Sequence, residues 1–534
     1  MSKAMYRITG GDYDRAGSAS SSLKEMLKKV GVEPAALRRA MIAAYEAETN
    51  VVIHACSGEM RVVLDEGVLD VEVVDEGPGI ADVEQAMREG YSTAPPRARE
   101  LGFGAGMGLP NIKRNSDRFQ IESTVGRGTR VRFVVHLSPQ GAAVRRSLSL
   151  QVVPGLCTGC LRCVRACPTG ALRVRERIPL VLEHLCVECG ACIAACEAGA
   201  LAIRGVAEAL PRGAGEPVVV QPALLGRLAP WLGPDAVLAA LRDLGYGDVV
   251  VTAPWEDALR EAVVQFARDE ATAWPVLSPA CPAVVSLVET RFPSLLGLLA
   301  PFVSFVEAVQ GQAGRGAAVV VGCPAQCSVL ATLRERPGVM VAPRSAVQAV
   351  VRRAAEGGKG GCPEAGHSGP EAGHSRFQIP DSRSGPEATG VLRVAGIRRV
   401  MAVLEEVENG QVGDVPALEL FACDEGCFGT PLLLGAPAVA RWRWAQVAER
   451  FGGTGRAVRR QAAPAPRRGL RLDEDMGRAI AKLAEMDRLV RELPGKDCGT
   501  CGAPTCRALA EDIVLGRATL AACVCRVRSE EETQ

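Results

Sequence analysis

Twenty cysteines are spread unevenly along this 534-residue chain, and sixteen of them fall into four sets of four. The first two sets constrain the fold most. Cys157, Cys160, Cys163 and Cys167, followed by Pro168, and then Cys186, Cys189, Cys192 and Cys196, form two C-x2-C-x2-C-x3-C runs. A cubane iron–sulfur cluster takes three thiolates from one tight loop and a fourth from elsewhere, and in paired runs each fourth cysteine serves the other cluster. The spacing predicts one cluster on Cys157, Cys160, Cys163 and Cys196, and a second on Cys186, Cys189, Cys192 and Cys167. The competing accounts are a disulfide framework and zinc, but zinc uses four soft ligands once rather than two interleaved sets.

The bulk properties suit a cytoplasmic redox protein. At roughly 100–200 residues per domain, the length predicts three to five domains. Lys and Arg number 62 against 61 Asp and Glu, so no overall charge steers the chain to nucleic acid or anionic lipid. The first fifteen residues lack the apolar stretch of a secretion signal. The longest apolar stretch, residues 293–309, contains Pro301 and Glu307 and is too short to span a bilayer. A cysteine-rich chain without a leader reads as reduced thiols holding metal. The expectation is a cytoplasmic protein, with no membrane contact and no direct nucleic-acid partner.

Composition divides the chain. Residues 1–140 contain a single cysteine, Cys56, and alternate helical with strand-like patterns. Residues 148–206 hold the paired runs, and 212–455 form a larger α/β stretch with apolar strand-like segments at 247–252 and 317–322. Within it, residues 356–390 are rich in Gly, Pro, Ser and Glu and repeat Pro-Glu-Ala-Gly-His-Ser at 363–368 and 370–375. Such a segment buries too little apolar surface to offset its ordering entropy, and a disordered insertion is the expectation. A metal-binding tail built on His367, His374 and Cys362 is the alternative. Residues 456–471 read as an extended linker, and 472–526 as a final helical segment.

The first domain contains four pieces in order. A helical pattern at 37–54 puts Glu46 and Asn50 on one face; a strand hairpin at 61–74 runs into Asp75-Glu-Gly77-Pro-Gly79. Gly102, Gly104, Gly106 and Gly108 form a glycine-dense loop entering a helix, and Gly126-Arg-Gly-Thr129 is a turn before a strand. Glycines before a helix let backbone N–H groups approach phosphates. Together the four pieces resemble the Bergerat-fold ATPases shared by gyrase, heat-shock chaperones, histidine kinases and anti-sigma serine kinases, and the wording at 43–55 is most similar to the anti-sigma kinases. The resemblance implies that Asn50 gives an oxygen to Mg2+, a hard cation, and that Asp75 accepts from the adenine amino group. It also implies that Gly77 and Gly79 let the chain pass the base, that Gly104, Gly106 and Gly108 form a phosphate lid, and that Thr129 belongs to the nucleotide contacts. Glu46 is the candidate general base. A domain that binds ATP without turning it over remains the alternative. With no histidine before residue 37 and His54 inside the helix, the pattern does not suit a histidine kinase.

Three cysteine motifs recur across 212–455, around Cys281, around Cys323 and Cys327, and around Cys423 and Cys427. Each follows an apolar strand-like run. Their order behind the paired runs resembles the large subunit of [FeFe] hydrogenases. The resemblance implies a cubane on Cys281, Cys323, Cys423 and Cys427, with Cys427 bridging to a di-iron centre. Departures argue against that centre and against efficient hydrogen turnover. Ala280 stands where the family has a proton-relaying cysteine, Gln326 where it has a lysine, and Val329 where it has a glutamate; Glu419 matches. Alanine cannot shuttle a proton, and glutamine supplies no charge.

Finally, Cys498, Cys501, Cys506 and Cys523 are spaced C-x2-C-x4-C-x16-C, followed by Cys525. The tail resembles a small four-cysteine [4Fe–4S] domain, with zinc as the competing metal and Cys525 able to replace Cys523.

The expected architecture is therefore multidomain α/β and α+β. It comprises a Bergerat ATPase α/β sandwich, a bacterial-type dicluster ferredoxin fold, a hydrogenase-like α/β domain with a cluster, and a small helical Fe–S domain with another. The expected function is an iron–sulfur redox-sensing or electron-transfer protein coupled to an ATP–Mg2+ domain of anti-sigma or protein serine kinase type. An ATP-gated low-potential electron-transfer protein and an atypical [FeFe] hydrogenase are the alternatives. The expected partners are a redox protein or hydrogenase subunit, or a sigma or anti-anti-sigma factor.

Overall fold

The computed structural model describes residues 2–137, 148–356 and 390–525, except 66, 102, 105, 229–231, 272, 315, 334, 335, 434, 452 and 468–470. The repeat-bearing insertion, with Cys362, His367 and His374, lies outside the described residues.

The first domain is built on a five-stranded antiparallel sheet. In spatial order its strands are Ser2–Thr9, Ser57–Asp65, Val68–Asp75, Gly128–His136 and Arg118–Thr124. Buried and exposed positions alternate along Ser57–Asp65 and Gly128–His136, the period of a sheet with one covered face. Two helices, Ser18–Val30 and Pro34–His54, supply that cover. Pro34 opens the longer helix with its φ already set, and the Glu33 side chain accepts from the free amides of Ala35 and Ala36. The shorter helix has no side-chain cap of its own. Glu48, buried on the neighbouring helix, accepts from Ala19 N at 3.0 Å and Ser20 N at 2.8 Å instead. A carboxylate there satisfies orphan donors and suits the helix dipole.

The paired cysteine runs fold around two small antiparallel ribbons, Leu150–Val152 with Leu201–Ile203 and Leu172–Arg175 with Ile178–Val181. The third region has two parallel sheets. One is ordered Val249–Val251, Val218–Val220, Ala318–Val320, Val339–Val341, and the other Val276–Leu277, Ala417–Phe421, Val391–Ala395. Val218–Val220, Ala318–Val320 and Ala417–Phe421 are buried at every position, as expected for parallel strands covered on both faces.

The tail helices, Met476–Glu492 and Cys506–Val514, do not stand apart. Ile480, Leu483 and Met486 share one apolar core with Leu23, Leu27 and Val62 of the first domain. The segment read as a linker is anchored as well. Arg467 is buried, with Nε 2.9 Å from Glu289 Oε2 and Nη2 2.7 Å from Ser286 Oγ. Among the described residues, no helix is long and apolar enough to cross a membrane.

Candidate functional site

A cavity of about 930 Å3 opens on the first domain between the Pro34–His54 helix, the end of the Val68–Asp75 strand and the glycine loop. Glu46, Asn50, Asp75, Gly79, Gly104, Gly106, Gly108 and Thr129 all line it, whereas Gly77 does not. Asp75 is held in place by its neighbours: one carboxylate oxygen accepts from Gly77 N at 2.9 Å and Thr129 N at 3.1 Å. Burial pushes the Asp75 carboxyl up, and those two amides pull it back. Glu46 accepts from Asn111 Nδ2 at 2.6 Å. Its carboxyl is likewise raised by burial and lowered by Asn111. Gly79 has a backbone φ of +71°, and a Cβ there would stand 2.3 Å from Thr124 O, so only glycine fits. At Gly108 a Cβ would meet the Asn50 amide and the Glu46 carboxylate; the loop thus runs directly over both side chains. A carboxylate, an acid–amide pair and glycine backbone lining one cavity suit a nucleotide with its phosphates.

Three residues from another domain also line this cavity: Asn409, Gly410 and Gln411. The Gln411 amide donates to the Tyr45 hydroxyl, one residue before Glu46. No sequence signal marked these residues, because nothing in local periodicity tells which distant turn will reach a site.

The cysteines gather into separate cavities. Cys157, Cys160, Cys163 and Cys196 ring one, with Val174 and Pro179 in its wall. The fourth cysteine of the second run thus joins the first three. Reciprocally, burial raises the Cys186, Cys189 and Cys192 thiols, and Cys167 lies close enough to all three to add to the rise. Burial pushes the Cys163 thiol up to about 11 and Cys186 to about 12. Backbone amides are aimed at sulfur: Ala171 N lies 3.2 Å from Cys167 Sγ and Ala200 N 3.3 Å from Cys196 Sγ. Converging thiols, three of them buried and two facing backbone N–H donors, fit a cluster, which would supply the positive charge that thiolates need.

Cys281, Cys323, Cys423 and Cys427 line a third cavity, and Cys189 lines it too. Gln326 is part of this wall; its amide oxygen accepts from Gln221 Nε2 at 2.6 Å. Ala280 and Cys327 are buried, and Cys327 lies near Glu188 rather than in the wall. Glu419 pairs with Arg260 at 3.3 Å and Arg393 at 3.6 Å. The tail cavity is lined by Cys498, Cys501, Cys506, Cys523 and Cys525, with Cys498 Sγ 3.6 Å from Cys525 Sγ. Both Cys523 and Cys525 therefore stand within reach of one site. Cys56 is exposed and joins none of these sets.

The tail also joins two domains. Asp512 Oδ2 accepts from Arg173 Nε at 2.6 Å and Arg175 Nη2 at 2.8 Å, while the adjacent Glu511 pairs with Lys29 of the first domain. Val174 N donates to Gly502 O at 3.1 Å, and Arg175 Nη1 to Cys501 O at 3.2 Å.

Fold and site together define a nucleotide-binding ATPase domain fused to iron–sulfur modules. Residues 11–135 match the histidine kinase-like ATPase domain, 149–197 the 4Fe-4S dicluster domain and 493–525 a putative Fe-S cluster domain. Serine/threonine-protein kinase RsbT of Bacillus subtilis is 30% identical over 115 residues, 21% of this chain and 80% of that protein. The anti-sigma F factor of Caldanaerobacter subterraneus is 35% identical over 100 residues, 18% of this chain and 66% of that protein. Through this segment the chain belongs to the family of anti-sigma and serine-kinase-type, histidine kinase-like ATPases. Among solved structures, an [FeFe]-hydrogenase from Chlamydomonas reinhardtii is 14% identical with a TM-score of 0.33, covering 51% of this chain and 89% of that one.

Proposed function

We propose that this protein is a redox-responsive regulator in which iron–sulfur modules bias an ATP-binding domain of serine-kinase or anti-sigma type. The observation that carries the reading is the tail helix Cys506–Val514. Its Glu511 grips the first domain through Lys29, and its Asp512 grips the paired-run domain through Arg173 and Arg175. Clusters held by the four cysteine sets would supply one-electron storage and transfer. The chain's own contribution is continuity: Cys189 is common to the second set and the third cavity wall, and Val174 touches both the first cavity and Gly502 of the tail. Charge added at any cavity is thereby felt through buried ion pairs that end on the ATPase domain. Coupling of this kind requires two states with different nucleotide affinity.

In the ATPase domain, Glu46 takes a proton from an attacking hydroxyl, Asn50 holds Mg2+, and Asp75 recognises the base. The partner is a protein of the sigma-factor regulatory class, either a sigma factor or a serine-bearing anti-anti-sigma type. The third domain is a hydrogenase-like module retaining a cubane set. Ala280 and Gln326 remove the proton relay and the charged donor that rapid hydrogen turnover needs. Infrared bands of CO and CN− ligands in anaerobically matured protein test for a di-iron centre there; their absence is the expected result. The decisive experiment measures Mg–ATP affinity and consumption in the reduced and oxidised states of the intact protein. A difference between the two supports the regulator, and equal values in both refute it.

A further inference from the structure

The nucleotide cavity is a composite of two domains. Its third-domain part, Asn409–Gly410–Gln411, is no wandering loop but the capped end of the Ile397–Glu408 helix. Gly410, at φ +77°, returns N–H bonds from itself to Val407 O at 3.0 Å and from Gln411 to Glu406 O at 2.9 Å. A left-handed glycine closing the last helical turn ties the following residue rigidly to the helix. The helix end is clamped to the first domain. Glu408, fully buried, pairs with Lys24, stands 3.6 Å from Lys28 and accepts from the Ser294 hydroxyl. Lys28 Nζ lies 4.8 Å above the Phe292 ring. The other end of the same helix abuts the third cysteine cavity: Gly396 N donates to Phe421 O at 3.0 Å and Ile397 N to Ala422 O at 2.9 Å, immediately before Cys423. Twelve helical residues at ~1.5 Å each make a strut of about 18 Å between the two sites.

We infer that the Asn409–Gly410–Gln411 turn is an intramolecular gate on the nucleotide pocket. Seated against Tyr45, it closes the side that carries Glu46, retaining nucleotide and keeping an incoming hydroxyl from that carboxylate until the Ile397–Glu408 strut moves. The inference rests on reading the cavity as a nucleotide site. It goes further, because it names the third-domain residues that control access and the element that would move them. Lys24, Lys28 and Glu408 hold the gate shut as a buried charge cluster, and such a cluster has well-defined docked and undocked arrangements rather than a continuum.

The test uses the intact, anaerobically prepared chain and a fluorescent Mg–ATP analogue, with release followed by stopped flow and Mg–ATP hydrolysis followed in parallel. Asn409 is half-buried and Gln411 exposed, so Gln411→Ala and the double Asn409→Ala/Gln411→Ala variant leave the fold intact. Release about two- to tenfold faster than wild type is expected, the range for loss of one net hydrogen bond, together with faster hydrolysis as water gains access to Glu46. Release and hydrolysis unchanged or slower in both variants, while the wild type binds the analogue saturably, overturn the gate and leave the nucleotide reading standing. A wild type that fails to bind the analogue overturns both.

Discussion

Asp75 commits one carboxylate oxygen to the amides of Gly77 and Thr129, so its side chain is oriented before any ligand arrives. Asp75→Ala strands two partly buried N–H groups, at about 1–3 kcal/mol for a lost acceptor, and removes the proposed contact to the base. Mg–ATP affinity should fall about tenfold or more, which corresponds to ~1.4 kcal/mol, as read by fluorescence titration. Glu46 behaves differently because its protonation matters. Burial raises its carboxyl above the ordinary glutamate value of 4.5, and Asn111 opposes the rise. In its proposed role as general base Glu46 works only when deprotonated, so ATP turnover should fall on acidification through that raised value. Asn111→Ala removes the opposing hydrogen bond and should move the acid limb of the pH–rate profile to higher pH. A limb that stays in place would show that Asn111 does not tune the base.

At the scale of elements, the Cys506–Val514 helix presents two adjacent acids in two directions. Arg173 and Asp512 are almost wholly buried, and removing one partner of such a pair leaves an uncompensated charge, typically at 3–5 kcal/mol. Asp512→Asn should therefore loosen the tail from the Leu172–Arg175 ribbon. The expected readout is faster limited proteolysis between the Met476–Glu492 helix and the rest of the chain, with the Glu46 site still able to bind nucleotide. The segment before this helix carries the same lesson. Its Pro- and Ala-rich wording reads as a spacer, yet Arg467 reaches Glu289, Ser286 and the carbonyl of Cys186. One long side chain converts a spacer into a tether, and composition averages over exactly that kind of residue-specific contact.

For the whole molecule, four filled cubane sets correspond to about sixteen iron atoms per chain. Elemental analysis of oxygen-protected protein should approach that figure, and Cys163→Ser should lower it by about four. What could be read along the chain was whatever depends on spacing. Cys157, Cys160 and Cys163, spaced C-x2-C-x2-C, line one cavity because a tight loop keeps them together. Glu46 and Asn50 share a face because a helix repeats every 3.6 residues. Alternating burial in Ser57–Asp65 follows from the pleat. Local geometry repeats wherever the pattern does, so these features needed no tertiary information. Which sets became neighbours did need it. Cys189 in the third cavity wall, Asp512 between two arginines, and Gln411 on the hydroxyl of Tyr45 join residues about 90 to 370 positions apart. Such meetings are decided by which apolar faces bury together and which charges must find partners once water is excluded, and no period in the sequence records that.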